Sequence, residues 1–122
     1  MTGVRNDQGE QLGLPSCGDP SPGSRRLESY WSVEVPGTYW VEMVFDENAW
    51  QPAERIPMPY HQATRLELTN EAEFPSLSAH RARRLRFSLE VTSREIHKVA
   101  GRHEWRTTYS ARIISACIPD PT

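Results

Sequence analysis

Residues 85–118 read LRFSLEVTSREIHKVAGRHEWRTTYSARIISACI. Leu85, Phe87, Leu89 and Val91 alternate with Arg86, Ser88, Glu90 and Thr92. Farther along, Trp105, Tyr109, Ala111 and Ile113 alternate with Arg106, Thr108, Ser110 and Arg112. Apolar residues two apart lie on one face of a strand, so each run reads as a half-buried strand. Gly101 sits between them, where a turn needs a residue free to adopt positive φ. Folding the chain about Ala100 sets Val91 opposite Tyr109, Leu89 opposite Ala111 and Phe87 opposite Ile113. The two apolar faces then coincide, and a long hairpin in this register is self-consistent.

Working back from this hairpin, residues 27–45 form a second organised stretch. Tyr30, Trp31, Val33 and Val35 run into Pro36-Gly37, after which Tyr39, Val41, Met43 and Phe45 alternate with Trp40, Glu42 and Val44. Pro-Gly fits the centre of a type II turn, whose twist suits a loose hairpin or a corner better than a tight hairpin. Apolar groups on both faces of 38–46 mark a central strand. Residues 46–60 carry Pro52, Pro57 and Pro59 and read as loop. Thr64–Thr69 alternates again, with Leu66 and Leu68 inward, and Ser76 or Ser78 can cap a short helix running to Arg84. Strands are thus expected near 28–35, 38–46, 64–69, 84–96 and 103–118. The fold class is mainly β: a small single-domain barrel or sandwich of about five or more antiparallel strands. Residues 1–26 hold five glycines and three prolines with several serines, so they read as a flexible leader. The domain itself spans 27–118, and 119–122 form a tail.

The chain has 122 residues, enough for one domain with its own core. Its apolar fraction of 37% is low and its ten prolines are many, so part of the chain is expected outside the core. The net charge of −2 conceals an uneven distribution. Residues 1–79 hold five arginines against twelve carboxylates, whereas 80–122 hold nine basic residues against four acidic ones. Mutual attraction of the two parts within one domain is the favoured explanation, ahead of a charged partner. No apolar run reaches the roughly 18 residues of a membrane span, and the polar first residues lack the apolar core of a signal peptide. A cytoplasmic setting is the default, in which Cys17 and Cys117 stay thiols. In an oxidising compartment the same pair would close the chain into one loop.

No signature of catalysis is present. There is no Gly-x-Ser-x-Gly elbow, no glycine-rich phosphate loop and no catalytic cysteine setting. His61, His80, His97, His103 and the two cysteines have no zinc-site spacing, so neither metal nor cofactor is expected. A non-catalytic binding module is the favoured class, with a protein partner of the adaptor or inhibitor type. Trp50 and Tyr60 lie on an irregular segment, as core plugs or as contact residues of the kind common in binding hot spots. The basic segment 80–86 contributes Arg81, Arg83, Arg84 and Arg86. The alternative is an OB-like single-stranded nucleic-acid binder using that segment and the 85–118 hairpin, with bases stacked on exposed aromatics.

Overall fold

The computed structural model describes residues 13–20, 22–58, 62–99, 101 and 104–119. Its frame is the expected hairpin, formed by β5 (Leu85–Lys98) and β6 (Trp105–Cys117). Gly101, at the turn, has φ of 76°. The register differs from the expected one. Val91 pairs with Ala111, Leu89 with Ile113 and Phe87 with Ala116. The offset arises at the turn, where Lys98 already pairs with Trp105, three residues beyond its expected partner. Two bulges then adjust it, an extra residue Thr92 on β5 and an extra residue Ile114 on β6. At Val91 and Leu89 the displacement is two residues, which keeps these side chains on their expected face. Phe87, Leu89, Val91, Ala111 and Ile113 are fully buried, and Tyr109 nearly so.

Next to β5 runs β2 (Gly37–Asp46), antiparallel, with Gly37 opposite Val91 and Met43 opposite Leu85. As expected of a central strand, β2 is paired on both edges. Its other edge carries β1 (Arg25–Arg26), parallel, and β3 (Ala49–Pro52), antiparallel. β3 corrects the reading of 46–60 as loop throughout. Glu47 and Asn48 both take positive φ, 52° and 73°. Two such residues match the right-handed twist of the flanking strands and so allow a two-residue hairpin. The strand expected at 28–35 is replaced by a 3-10 turn, Tyr30–Ser32, capped by the Ser29 hydroxyl. Val35–Pro36 is cis, and the chain enters β2 directly. Glycine is required at 37 because a Cβ there would lie 2.6 Å from the Glu34 carbonyl oxygen.

On the far side of β6 lies β4 (Gln62–Leu68), with Leu66 opposite Tyr109. β4 runs parallel to β6, as β1 does to β2, which corrects the expectation of antiparallel strands. Where β4 ends, the Asn70 amide replaces a strand residue. Its Oδ1 accepts from the Ile113 N–H at 2.6 Å and its Nδ2 donates to the Ile113 carbonyl at 2.9 Å. The chain before β1 continues this line. The Cys17 N–H donates to the Ile118 carbonyl, the Ile118 N–H donates to the Pro15 carbonyl, and Cys17 is disulfide-bonded to Cys117. Residues 13–20 and 22–26, assigned to the leader by composition, are therefore tied to the sheet at Cys17 and at β1.

The result is a mainly β fold with one six-stranded mixed sheet, ordered β1-β2-β5-β6-β4 with β3 beside β2, not closed into a barrel. The core lies on one face of it. Among the described residues no second sheet covers that face. Leu27, Tyr30, Val33, Ile56 and Leu77, all from irregular or 3-10 segments, bury themselves there. Leu77 sits in a 3-10 helix, Pro75–His80, in place of the short α-helix expected from Ser76 or Ser78. The Tyr39 hydroxyl fastens the first covering loop. It accepts from the Glu34 N–H at 2.7 Å and from Arg25 Nη2 at 3.1 Å, and it donates to the Ser32 carbonyl at 3.3 Å.

Leu89 is completely buried at the centre of this face. Leu89→Ala is expected to lower the unfolding free energy by about 2–5 kcal/mol in urea denaturation. A loss below about 0.5 kcal/mol, the scale of surface substitutions, would show that the site is not core.

Candidate functional site

β3 and β4 belong to opposite edges of the sheet, yet they line one groove. The sheet curls far enough to bring its two edges face to face and stops short of joining them. The groove encloses about 620 Å³, within the range of roughly 300–1,000 Å³ typical of ligand sites. Its floor is apolar: Tyr30, Trp50 and Ile56 are buried, while Met58, Leu66 and Leu68 are partly buried against the core. Its rim is polar, with Gln51, Glu54, Arg55, Arg65, Glu67 and Glu71. Two of the rim carboxylates are paired with arginine, Glu67 with Arg65 at 3.2 Å and Glu54 with Arg26 at 3.4 Å. The Thr64 hydroxyl, also in the groove wall, is buried with no hydrogen-bond partner among the described residues.

Tyr30 anchors the floor. Its ring stacks on Tyr109 with centroids 5.6 Å apart and planes 6° from parallel. Its N–H donates to the Pro57 carbonyl at 2.9 Å, and its carbonyl accepts from the Tyr109 hydroxyl at 3.4 Å. Burial, helped by the neighbouring Tyr109, pushes the Tyr30 hydroxyl up to about 12 from its ordinary 10.0. The floor thus stays uncharged in any ordinary buffer.

The residues singled out by sequence fall in different places. Trp50 is 5% exposed and packs on Phe45 (5.5 Å between centroids) and Phe87 (5.3 Å). It is packed into the core, with one side on the groove. Tyr60 lies outside the described residues. Arg84 and Arg86 both turn to Glu42, at 3.1 and 3.7 Å, and Arg86 also lies over the Trp40 ring at 4.4 Å. Arg81 lies over Phe45 at 4.4 Å, and it borders a shallow recess that Trp50 also lines. Arg83 is exposed. Three of the four arginines are thus occupied within the domain, two of them on a carboxylate of the acidic first part. Such exposed pairs contribute about 0–1 kcal/mol each, so their effect is to neutralise the segment more than to stabilise it.

Sequence reasoning passed over the groove itself. Leu66 and Leu68 were legible as inward residues of a strand. Nothing local announces that no strand lies beyond them to complete their cover. Among the described residues no helix is long and apolar enough to cross a membrane.

The Tyr30 environment has a signature in pH. Its folded-state value lies above the unfolded one, so its contribution is fully present below pH 10 and is lost as pH rises toward 12. Unfolding free energy is expected to fall by up to about 1.4 kcal/mol per pH unit in that window on account of this one group. Tyr30→Phe should lessen the fall and remove the late-titrating phase from the tyrosinate absorbance. An unchanged titration would mean that Tyr30 is not the buried hydroxyl.

No protein-family model, curated protein or solved structure matches the chain.

Proposed function

We propose that this domain is a non-catalytic binding module for a protein partner, and that the partner's contact lies in the groove between β3 and β4. The observation that carries the reading is the groove's make-up. An apolar floor of about 620 Å³ ringed by charged and amide side chains suits a segment that buries apolar side chains and leaves its polar groups at the rim. Trp50 and Tyr30 give that floor large rigid surfaces, the type of residue on which binding energy concentrates. The nucleic-acid alternative has less support, since Arg84 and Arg86 are spent on Glu42 and phosphate contacts require unpaired cations.

Peptides selected from a random display library on the folded protein supply the test. Titration calorimetry is expected to show binding that Leu66→Asp weakens at least tenfold, with the circular dichroism spectrum unchanged. Selected peptides indifferent to Leu66→Asp, or a selection that yields none, would remove the groove from consideration.

We infer the setting from the cysteines. The Cys17–Cys117 bridge closes a loop of sequence separation 100, and such bonds persist in oxidising compartments. We infer that the working form is the bridged one, in place of the cytoplasmic dithiol expected by default. Protein isolated from its native source in the presence of an alkylating agent should carry no alkylated cysteine. Reduction should then lower its stability by about 2–5 kcal/mol. Two alkylated cysteines in the isolated protein would return it to a reducing compartment.

A further inference from the structure

We propose that the free edge of β5 at Thr92–Lys98 takes up an acidic, extended segment of a partner protein as an added strand. β5 is fourteen residues long, and its burial changes abruptly along its length. From Leu85 to Val91 it is flanked by β2 and β6 and alternates between buried and half-buried. From Thr92 to Lys98 every residue is exposed. β2 stops opposite Val91. Beyond that point β6 holds one edge of β5, and among the described residues no backbone hydrogen bond reaches the other. Alternate N–H and C=O groups of an antiparallel strand face each neighbour in turn, so this stretch presents a row of unfilled donors and acceptors.

The bulge at Thr92 decides which side chains accompany that edge. Past it, Arg94, Ile96 and Lys98 stand opposite Tyr109, Thr107 and Trp105, on the face that is the core farther down the sheet. On β5 that face has outrun its cover, while Thr107 on β6, opposite Ile96, stays buried. Ile96 is 52% exposed and Trp105 45%, with the Lys98 ammonium 6.0 Å from the Trp105 ring centre. Among the described residues this face carries two cations and no carboxylate. Glu95 and His97 lie on the opposite face, 3.6 Å from each other, and Arg106 is across from His97. Glu104 is at the turn. A strand entering beside β5 therefore meets cations next to an apolar pair. Acidic residues alternating with apolar ones complement that arrangement, and main-chain bonds supply the rest of the attraction. The same cations disfavour a basic strand, in keeping with the use of charge to guard edges. This surface is separate from the β3–β4 groove, and the proposal does not rest on that reading.

The test uses the bridged protein and a capped octapeptide alternating Glu and Val, observed by amide chemical shifts. Shifts concentrated at Thr92–Lys98 and its β6 neighbours are expected. The double variant Arg94→Glu, Lys98→Glu should weaken binding at least tenfold. So should methylation of alternate peptide nitrogens, which leaves the charges in place and removes the donors. Both substituted residues are exposed, and matching amide spectra elsewhere would confirm that the variant folds. Leu66→Asp should leave this binding unchanged, which separates it from the groove. Absence of shifts, equal binding of the Lys–Val counterpart, or indifference to N-methylation would overturn the proposal. Oligothymidylate binding that depends on Arg94 and Lys98 more strongly than peptide binding does would also overturn it, in favour of nucleic acid.

Discussion

One sheet with a single apolar face cannot stand in water uncovered, and among the described residues there is neither an α-helix nor a second sheet to cover it. Every other feature of the fold answers that constraint. The face built by Phe87, Leu89, Val91, Ala111 and Ile113 is fully dry. It becomes so by two means. The sheet curls, bringing β3 and β4 toward one another, and irregular segments lie across the hollow, each delivering one or two side chains. Burying a large apolar side chain contributes roughly 1.5–3 kcal/mol. A loop that delivers Tyr30 and Val33, or Ile56, thus gains enough to be ordered without strand pairing. Polar fastenings make such loops specific. The Tyr39 hydroxyl gathers Glu34, Ser32 and Arg25, and the Asn70 amide takes a strand's place on β6.

Imperfect coverage is also what creates the candidate contact surfaces. Where the curl stops short, Leu66, Leu68 and Met58 remain partly open and become a groove floor. Where β5 and β6 run past the end of β2, Ile96 and Trp105 are left without a lid. The two surfaces differ in chemistry because they arise differently. The groove is bounded by two sheet edges, with three carboxylates and two arginines on its rim. The hairpin face is bounded by one edge and is cationic. The outer face of the sheet is closed instead by charge pairing: Arg84 and Arg86 on Glu42, and Arg112 on Glu90.

Much of the fold was legible in the residues. Alternation placed the two long strands, the central strand and the inward residues of β4, because a period of two in hydrophobicity has one regular explanation. Pairing register was less legible. Period two fixes the face of each residue but not which residue lies opposite. The turn moved the register by three and the Thr92 bulge brought it to two, so that Leu89 and Val91 kept their faces while Arg94, Ile96 and Lys98 changed theirs. β3 was missed because Glu47-Asn48 lacks the glycine that usually signals a two-residue turn, although asparagine tolerates positive φ better than most residues. The strand read at 28–35 failed because its apolar residues are those of a covering loop. Tyr30 and Val33 are buried by the core they close, while Trp31 is 64% exposed.

The sequence by itself determined that this is a β protein, that 85–118 folds into a hairpin and which side chains of the alternating strands face the core, since those properties depend on neighbours close in the chain. Only the tertiary structure decided the rest. Parallel pairing of β4 with β6, the open seam between β3 and β4, and the meeting of Cys17 with Cys117 all join residues far apart in the chain. The fates of Trp50 and the arginines were settled in the same way. Trp50 became core because Phe87 lay within reach, and Arg84 and Arg86 were neutralised because the β2–β5 register set Glu42 opposite Arg86. Contacts of that kind depend on how distant segments are brought together, and no local pattern encodes them.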